Sequence, residues 1–129
     1  MTIFVYFAAM IKHTATLLFA SLLLASCYQP ERNCADFRNG NYTFDYEVNG
    51  EKKTGSFTRD ERYSVEYYDN KIDSATVKWV NDCEFVLQDI KTNTSVQMKI
   101  LSTTQKSYTF EYSLVGKSKK SRGVAIKTD

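Results

Sequence analysis

The residue with the most definite chemistry is Cys27. It closes the run Leu24-Ala25-Ser26-Cys27, in which a branched apolar residue and two small residues precede a thiol. This is the lipobox pattern: the small residues let a peptidase reach the bond before the cysteine, and the thiol becomes a thioether to diacylglycerol. Several acyl chains at roughly 0.8 kcal/mol per buried CH₂ then anchor a protein to a membrane without a spanning helix. The remaining thiols, Cys34 and Cys83, form the only other pair. In an exported chain they are expected to join as a disulfide closing a loop of about 50 residues, worth about 4 kcal/mol in the chain-entropy model. Two free thiols or a metal site are the alternatives, and the second lacks a histidine beyond position 13 to complete a zinc shell.

Catalytic constellations are sparse. The single histidine, His13, lies in the segment that export would remove, so no Ser–His or Cys–His nucleophile pair can be assembled. The glycines are isolated and build no phosphate cradle. Asp45 with Glu47, and Asp60 with Glu61, are carboxylate pairs, but the first falls on the outward face of a predicted strand and the second in a hairpin loop. Asp69, Asn70 and Asp73 lack the length and glycine of an EF-hand loop. The expectation is a non-enzyme with no metal and no cofactor beyond the lipid on Cys27.

Binding chemistry is better represented. Tyr42, Tyr46, Tyr63, Tyr67, Trp79, Tyr108 and Tyr112 fall on predicted inward positions, where they would line a site for an apolar or aromatic ligand. Alternatively they fill the core, and the narrow bore of a small barrel favours this, with at most a shallow mouth. Lys117, Lys119, Lys120 and Arg122 form a basic loop that would meet an anionic partner, or else be a solvated hairpin. Asp73-Ser74-Ala75 also looks like a short bacterial O-glycosylation motif.

These residues must be placed by the elements around them. Residues 1–26 read as a signal peptide, with its apolar run from Leu17 to Ala25 and the start at Met1 or Met10. Residues 27–35 read as a lipidated tether, and 36–129 as one domain. Cleavage before Cys27 would leave 103 residues with 16 basic against 15 acidic side chains, which gives no sign of nucleic-acid binding. Tyr28 rather than aspartate follows the cysteine, so the expected address is the outer membrane, facing the periplasm or the surface.

Along the domain, apolar residues alternate with polar ones and turn signals recur about every ten residues. Tyr42, Phe44, Tyr46 and Val48 make one inward set, ended by Asn49-Gly50, the strongest short hairpin signal. Phe57 is inward on the return. Tyr63, Val65 and Tyr67 make the third set, ended by Asp69-Asn70-Lys71. Ala75, Val77 and Trp79 follow, then Cys83, Phe85 and Leu87, then Val96, Met98 and Ile100, then Tyr108, Phe110, Tyr112 and Leu114. Val124 and Ile126 mark a short last strand. Only Glu31 to Phe37 reads as a helical turn. The expected fold is all-β: an antiparallel up-and-down meander of about eight strands, closed or nearly closed as a lipocalin-like barrel. A curled sheet or a two-sheet sandwich is the alternative.

The segments Asp36-Phe37-Arg38-Asn39-Gly40-Asn41-Tyr42-Thr43-Phe44, Trp79-Val80-Asn81-Asp82-Cys83-Glu84-Phe85 and Lys106-Ser107-Tyr108-Thr109-Phe110-Glu111-Tyr112, together with the lipobox, resemble small lipocalin-like lipoproteins of the Bacteroidota type. Some sequences of that type carry a DNA topoisomerase IV label, but this chain contains none of the ATP-binding or DNA-gate parts of such an enzyme. The resemblance implies a lipocalin-like barrel and assigns no activity. The functional expectation is a cell-envelope binding module for a small apolar ligand or lipid. Rival readings are a protein-interaction module, such as an inhibitor of a lysozyme-type hydrolase acting through Arg59-Asp60-Glu61-Arg62 or the basic loop, and a structural envelope component.

Overall fold

A computed structural model describes residues 32–129. The signal segment, the lipobox and Cys27 lie outside the described residues. One 3-10 turn (Cys34–Phe37) precedes eight strands: β1 (Gly40–Val48), β2 (Glu51–Arg59), β3 (Tyr63–Tyr68), β4 (Lys71–Asn81), β5 (Glu84–Asp89), β6 (Ser95–Thr103), β7 (Ser107–Leu114) and β8 (Ser121–Lys127). Each strand pairs antiparallel with the next. β8 returns to β1 through Tyr42↔Lys127, Thr43↔Ile126 and Phe44↔Ala125, closing an up-and-down barrel. Closure leaves no edge strand, so neither the sandwich nor the open curled sheet applies.

The turns set the register. Asn49 (φ +54°) and Gly50 (φ +78°) join Val48 to Glu51 as a two-residue hairpin, as their sequence predicts. Asp69 (φ +48°) and Asn70 (φ +58°) do the same between Tyr68 and Lys71. This second turn corrects the reading of β3. A break of three residues, Asp69-Asn70-Lys71, would have turned Tyr63, Val65 and Tyr67 inward. With two residues, the register becomes Ser64↔Ala75 and Glu66↔Asp73. Ala75, Val77 and Trp79 face inward as expected, so Ser64, Glu66 and Tyr68 share the interior with them. Tyr63 and Tyr67 are outside, 47% and 43% exposed. A change of one residue in turn length inverts the whole strand.

The barrel has a filled end and an open end. At the filled end the 3-10 turn buries its Phe37 in one core with Tyr42, Phe85, Ile100, Tyr108 and Ala125. Tyr42 stacks on Phe57 with centroids 4.7 Å apart, and Phe37 lies 5.3 Å from Tyr108. Cys34 and Cys83 form a disulfide, with Cα atoms 5.3 Å apart, that ties the 3-10 turn to the β4–β5 turn. The free-thiol and metal alternatives therefore fall away. Cys83 itself sits in that turn, and β5 begins at Glu84, because a bulge at Val80 separates Trp79↔Phe85 from Asn81↔Glu84.

Arg59 lies at the centre of this end, only 4% exposed. Its Nε donates to the Arg38 carbonyl at 3.0 Å, its Nη2 to the Phe37 carbonyl at 2.6 Å, and both terminal nitrogens to the Tyr108 hydroxyl. Its guanidinium also stands 4.6 Å from the Phe85 ring centroid. The sequence suggests Arg59 as the start of an interaction loop, and its burial corrects that expectation. The planar fork holds the last carbonyls of a turn too short to satisfy them itself.

Candidate functional site

The other half of the barrel encloses a cavity of about 340 Å³. Apolar side chains from five strands reach it: Phe44 on β1, Phe57 on β2, Leu87 on β5, Val96 and Met98 on β6, and Phe110 on β7. Arg59, Ser64 and Tyr108 form its floor, and Glu66 stands on its wall. The filled core expected from the narrow bore thus holds for one half of the barrel only.

Two cross-strand pairs explain how so aromatic a barrel stays hollow. Gly55 is the register partner of Phe44, and Gly123 of Phe110. Each ring lies over the glycine opposite: a Cβ added to Gly55 would meet Phe44 Cζ at 2.5 Å, and one on Gly123 would meet Phe110 Cζ at 2.6 Å. The rings therefore lie against the wall instead of crossing the bore. Gly55→Ala and Gly123→Ala are each expected to swing a ring into the cavity at a stability cost of about 1–3 kcal/mol. Thermal unfolding checks the cost, and unchanged melting in both would show that the rings are not held by these glycines.

The tyrosines predicted to line a site divide into three groups. Tyr46, Tyr108 and Tyr112 do line the cavity. Tyr42 and Trp79 belong to the filled end. The Tyr42 hydroxyl donates to the Asn39 carbonyl at 2.8 Å, and the Trp79 ring packs on Phe85 with Arg38 stacked 4.7 Å from its centroid. Tyr63 and Tyr67 are on the outer surface and cannot touch a ligand in the bore. Burial pushes the Tyr42 phenol up to about 12 and raises Tyr108 as well, with Arg59 opposing both shifts. Both phenols are thus neutral hydrogen-bonding groups at physiological pH.

The mouth is polar on one side. Tyr46 and Tyr68 meet edge to face there, and the Tyr46 hydroxyl accepts from the Asp69 amide at 3.1 Å. Lys53 pairs with Asp69 at 3.4 Å. The Tyr68 hydroxyl donates to Asp73 Oδ2 at 2.8 Å, and that bond is the main cause of a phenol pushed up to about 12. Asp89 is committed to its own loop, accepting from the Lys91 and Thr92 amides. Across the rim, two cations of the basic loop share one carboxylate. Lys120 and Arg122 lie 3.5 and 3.7 Å from Glu111, which leaves Lys117 and Lys119 as its exposed cations without an ion pair among the described residues.

Sequence reading missed Arg59, Ser64, Glu66, Gly55 and Gly123 as parts of this site. For Ser64 and Glu66 a signal existed: counting back from Trp79 through a two-residue Asp69-Asn70 turn places both inside. Among the described residues no three His, Cys, Asp or Glu side chains come together as a metal site. No family model, curated protein or solved structure matches the chain.

Proposed function

We propose that this protein is a non-enzymatic binding module of the cell envelope, holding a small, largely apolar ligand in the open half of its barrel and carried on a membrane by lipid at Cys27. The observation that supports it is the cavity of about 340 Å³ bounded by rings and aliphatic side chains above a plugged base. That volume is at the lower limit for small-molecule sites, which are typically roughly 300–1,000 Å³ and mostly apolar with a few polar groups fixing orientation. The lipobox supplies the address, and a disulfide is at home in an oxidising envelope.

Native mass spectrometry on the full chain purified from its own host tests this. The expected result is a discrete added mass that vanishes under denaturing conditions and is lost when Gly55→Ala and Gly123→Ala are combined. A wild-type spectrum that carries only the covalent lipid under gentle conditions would count against the reading.

A protein-contact role has one observation in its favour. Tyr67 and its cross-strand partner Ile72 are exposed on the outer wall, on the same face of β3 as Tyr63. Crosslinks to another envelope protein that disappear with Tyr67→Ser and Ile72→Ser would move the assignment to that face.

A further inference from the structure

The cavity carries an electrical asymmetry that narrows its ligand. Glu66 stands on the apolar wall between Phe57 of β2 and Asp73 of β4, its register partners. Among the described residues it has neither an ion pair nor a hydrogen bond, and no buried side-chain oxygen is left without a partner. Its carboxylate oxygens therefore open onto the cavity. Asp73, its register partner on β4, is another carboxylate and already accepts from Tyr68. Two cations line the cavity and both have partners: Arg59 holds two carbonyls and a phenol, and Arg122, on the β8 side of the cavity, lies 3.7 Å from Glu111.

We infer that the ligand is an organic cation, an apolar body bearing an ammonium group that pairs with Glu66 among the rings of Phe44, Tyr46, Phe57 and Phe110. This inference rests on the cavity reading above. A carboxylate ligand would have to compete with Glu111 for Arg122 and would face Glu66. A neutral one would leave Glu66 unpaired and more deeply desolvated. An ammonium compensates the carboxylate and gains from the ring faces, which attract cations.

The unpaired, partly buried carboxyl costs stability. Burial, and then the charge of Asp73, raise the Glu66 carboxyl above its usual value of 4.5. The folded state therefore holds this proton more tightly than the unfolded chain, and stability falls as pH rises from the unfolded value through the folded one. Glu66→Gln removes that cost, so the ligand-free variant is expected to melt higher than wild type at pH 7. Below about pH 4, where both forms of the wild-type residue are protonated, the difference should close.

The test uses three matched probes, phenylbutylamine, phenylbutanol and phenylbutanoate, titrated calorimetrically into the full chain at pH 7. The amine is expected to bind about tenfold tighter than the alcohol, and the carboxylate weakest. In Glu66→Gln the amine should fall to the level of the alcohol while the alcohol is unchanged. Equal binding of amine and alcohol, or an amine preference that survives Glu66→Gln, would overturn the cation assignment and leave the cavity reading standing. Tightest binding of the carboxylate would overturn it in favour of the two cavity arginines, Arg59 and Arg122. No binding by any of the three would remove the cavity reading and this inference together.

Discussion

Replacing Arg59 by methionine is expected to lower the melting temperature by about 15–30 °C, which corresponds to about 3–5 kcal/mol on a domain of this size. Methionine keeps much of the volume but leaves the Phe37 carbonyl, the Arg38 carbonyl and the Tyr108 hydroxyl without their donor. Each such group costs about 1–3 kcal/mol when it remains buried. The effect should concentrate on the 3-10 turn, since two of the three acceptors belong to it or follow it directly. Arg59→Lys should recover less than half of the loss, because a point-like ammonium cannot span two carbonyls and a phenol at once. Circular dichroism melts of the three proteins decide it. A melting point for Arg59→Met within a few degrees of wild type would mean that packing and the disulfide hold the turn without it.

The second large effect belongs to the disulfide. Cys34 and Cys83 are 49 residues apart in sequence, and opening that loop is expected to cost about 4 kcal/mol, mostly by freeing the unfolded chain. The double alanine variant, or wild type under reductant, should therefore melt about 15 °C or more below the oxidised protein. Because Arg59 and the disulfide fasten the same 3-10 turn, their losses should not add. Once the turn has left the bore, Arg59 has no carbonyls to hold, so the combined variant should fall short of the sum by roughly 1 kcal/mol or more. Strict additivity in a double-mutant cycle would show that the two devices stabilise separate parts of the barrel.

Much of this architecture is legible in the chain. Six of the eight strands show their inward residues by simple alternation or, in β2, by Phe57 alone. In β8 the interior positions are Gly123 and Ala125, opposite Phe110 and Tyr108, while Val124 and Ile126 face outward. There the larger residue across the seam takes the space and leaves room only for a small one. β3 misleads for a different reason: its apolar residues alternate cleanly but occupy the outer face. Periodicity reports that a strand has two unlike faces, and it does not say which of them is inside.

Composition and local pattern by themselves determined the all-β class, the strand number, the Asn49-Gly50 hairpin and the pairing partners for an oxidised cysteine bridge, because these depend on residues near one another or on counting. The tertiary structure decided what lies inside. Whether Glu66 or Tyr67 faces the bore depends on one residue of turn length, and whether Arg59 is a loop charge or a central clasp depends on a turn arriving from 22 residues away. That the barrel is filled at one end and hollow at the other depends on rings lying over glycines on neighbouring strands. The last two follow from closure of the barrel, which brings positions distant in sequence into one bore, whereas the first left a local signal in the length of the Asp69-Asn70 turn.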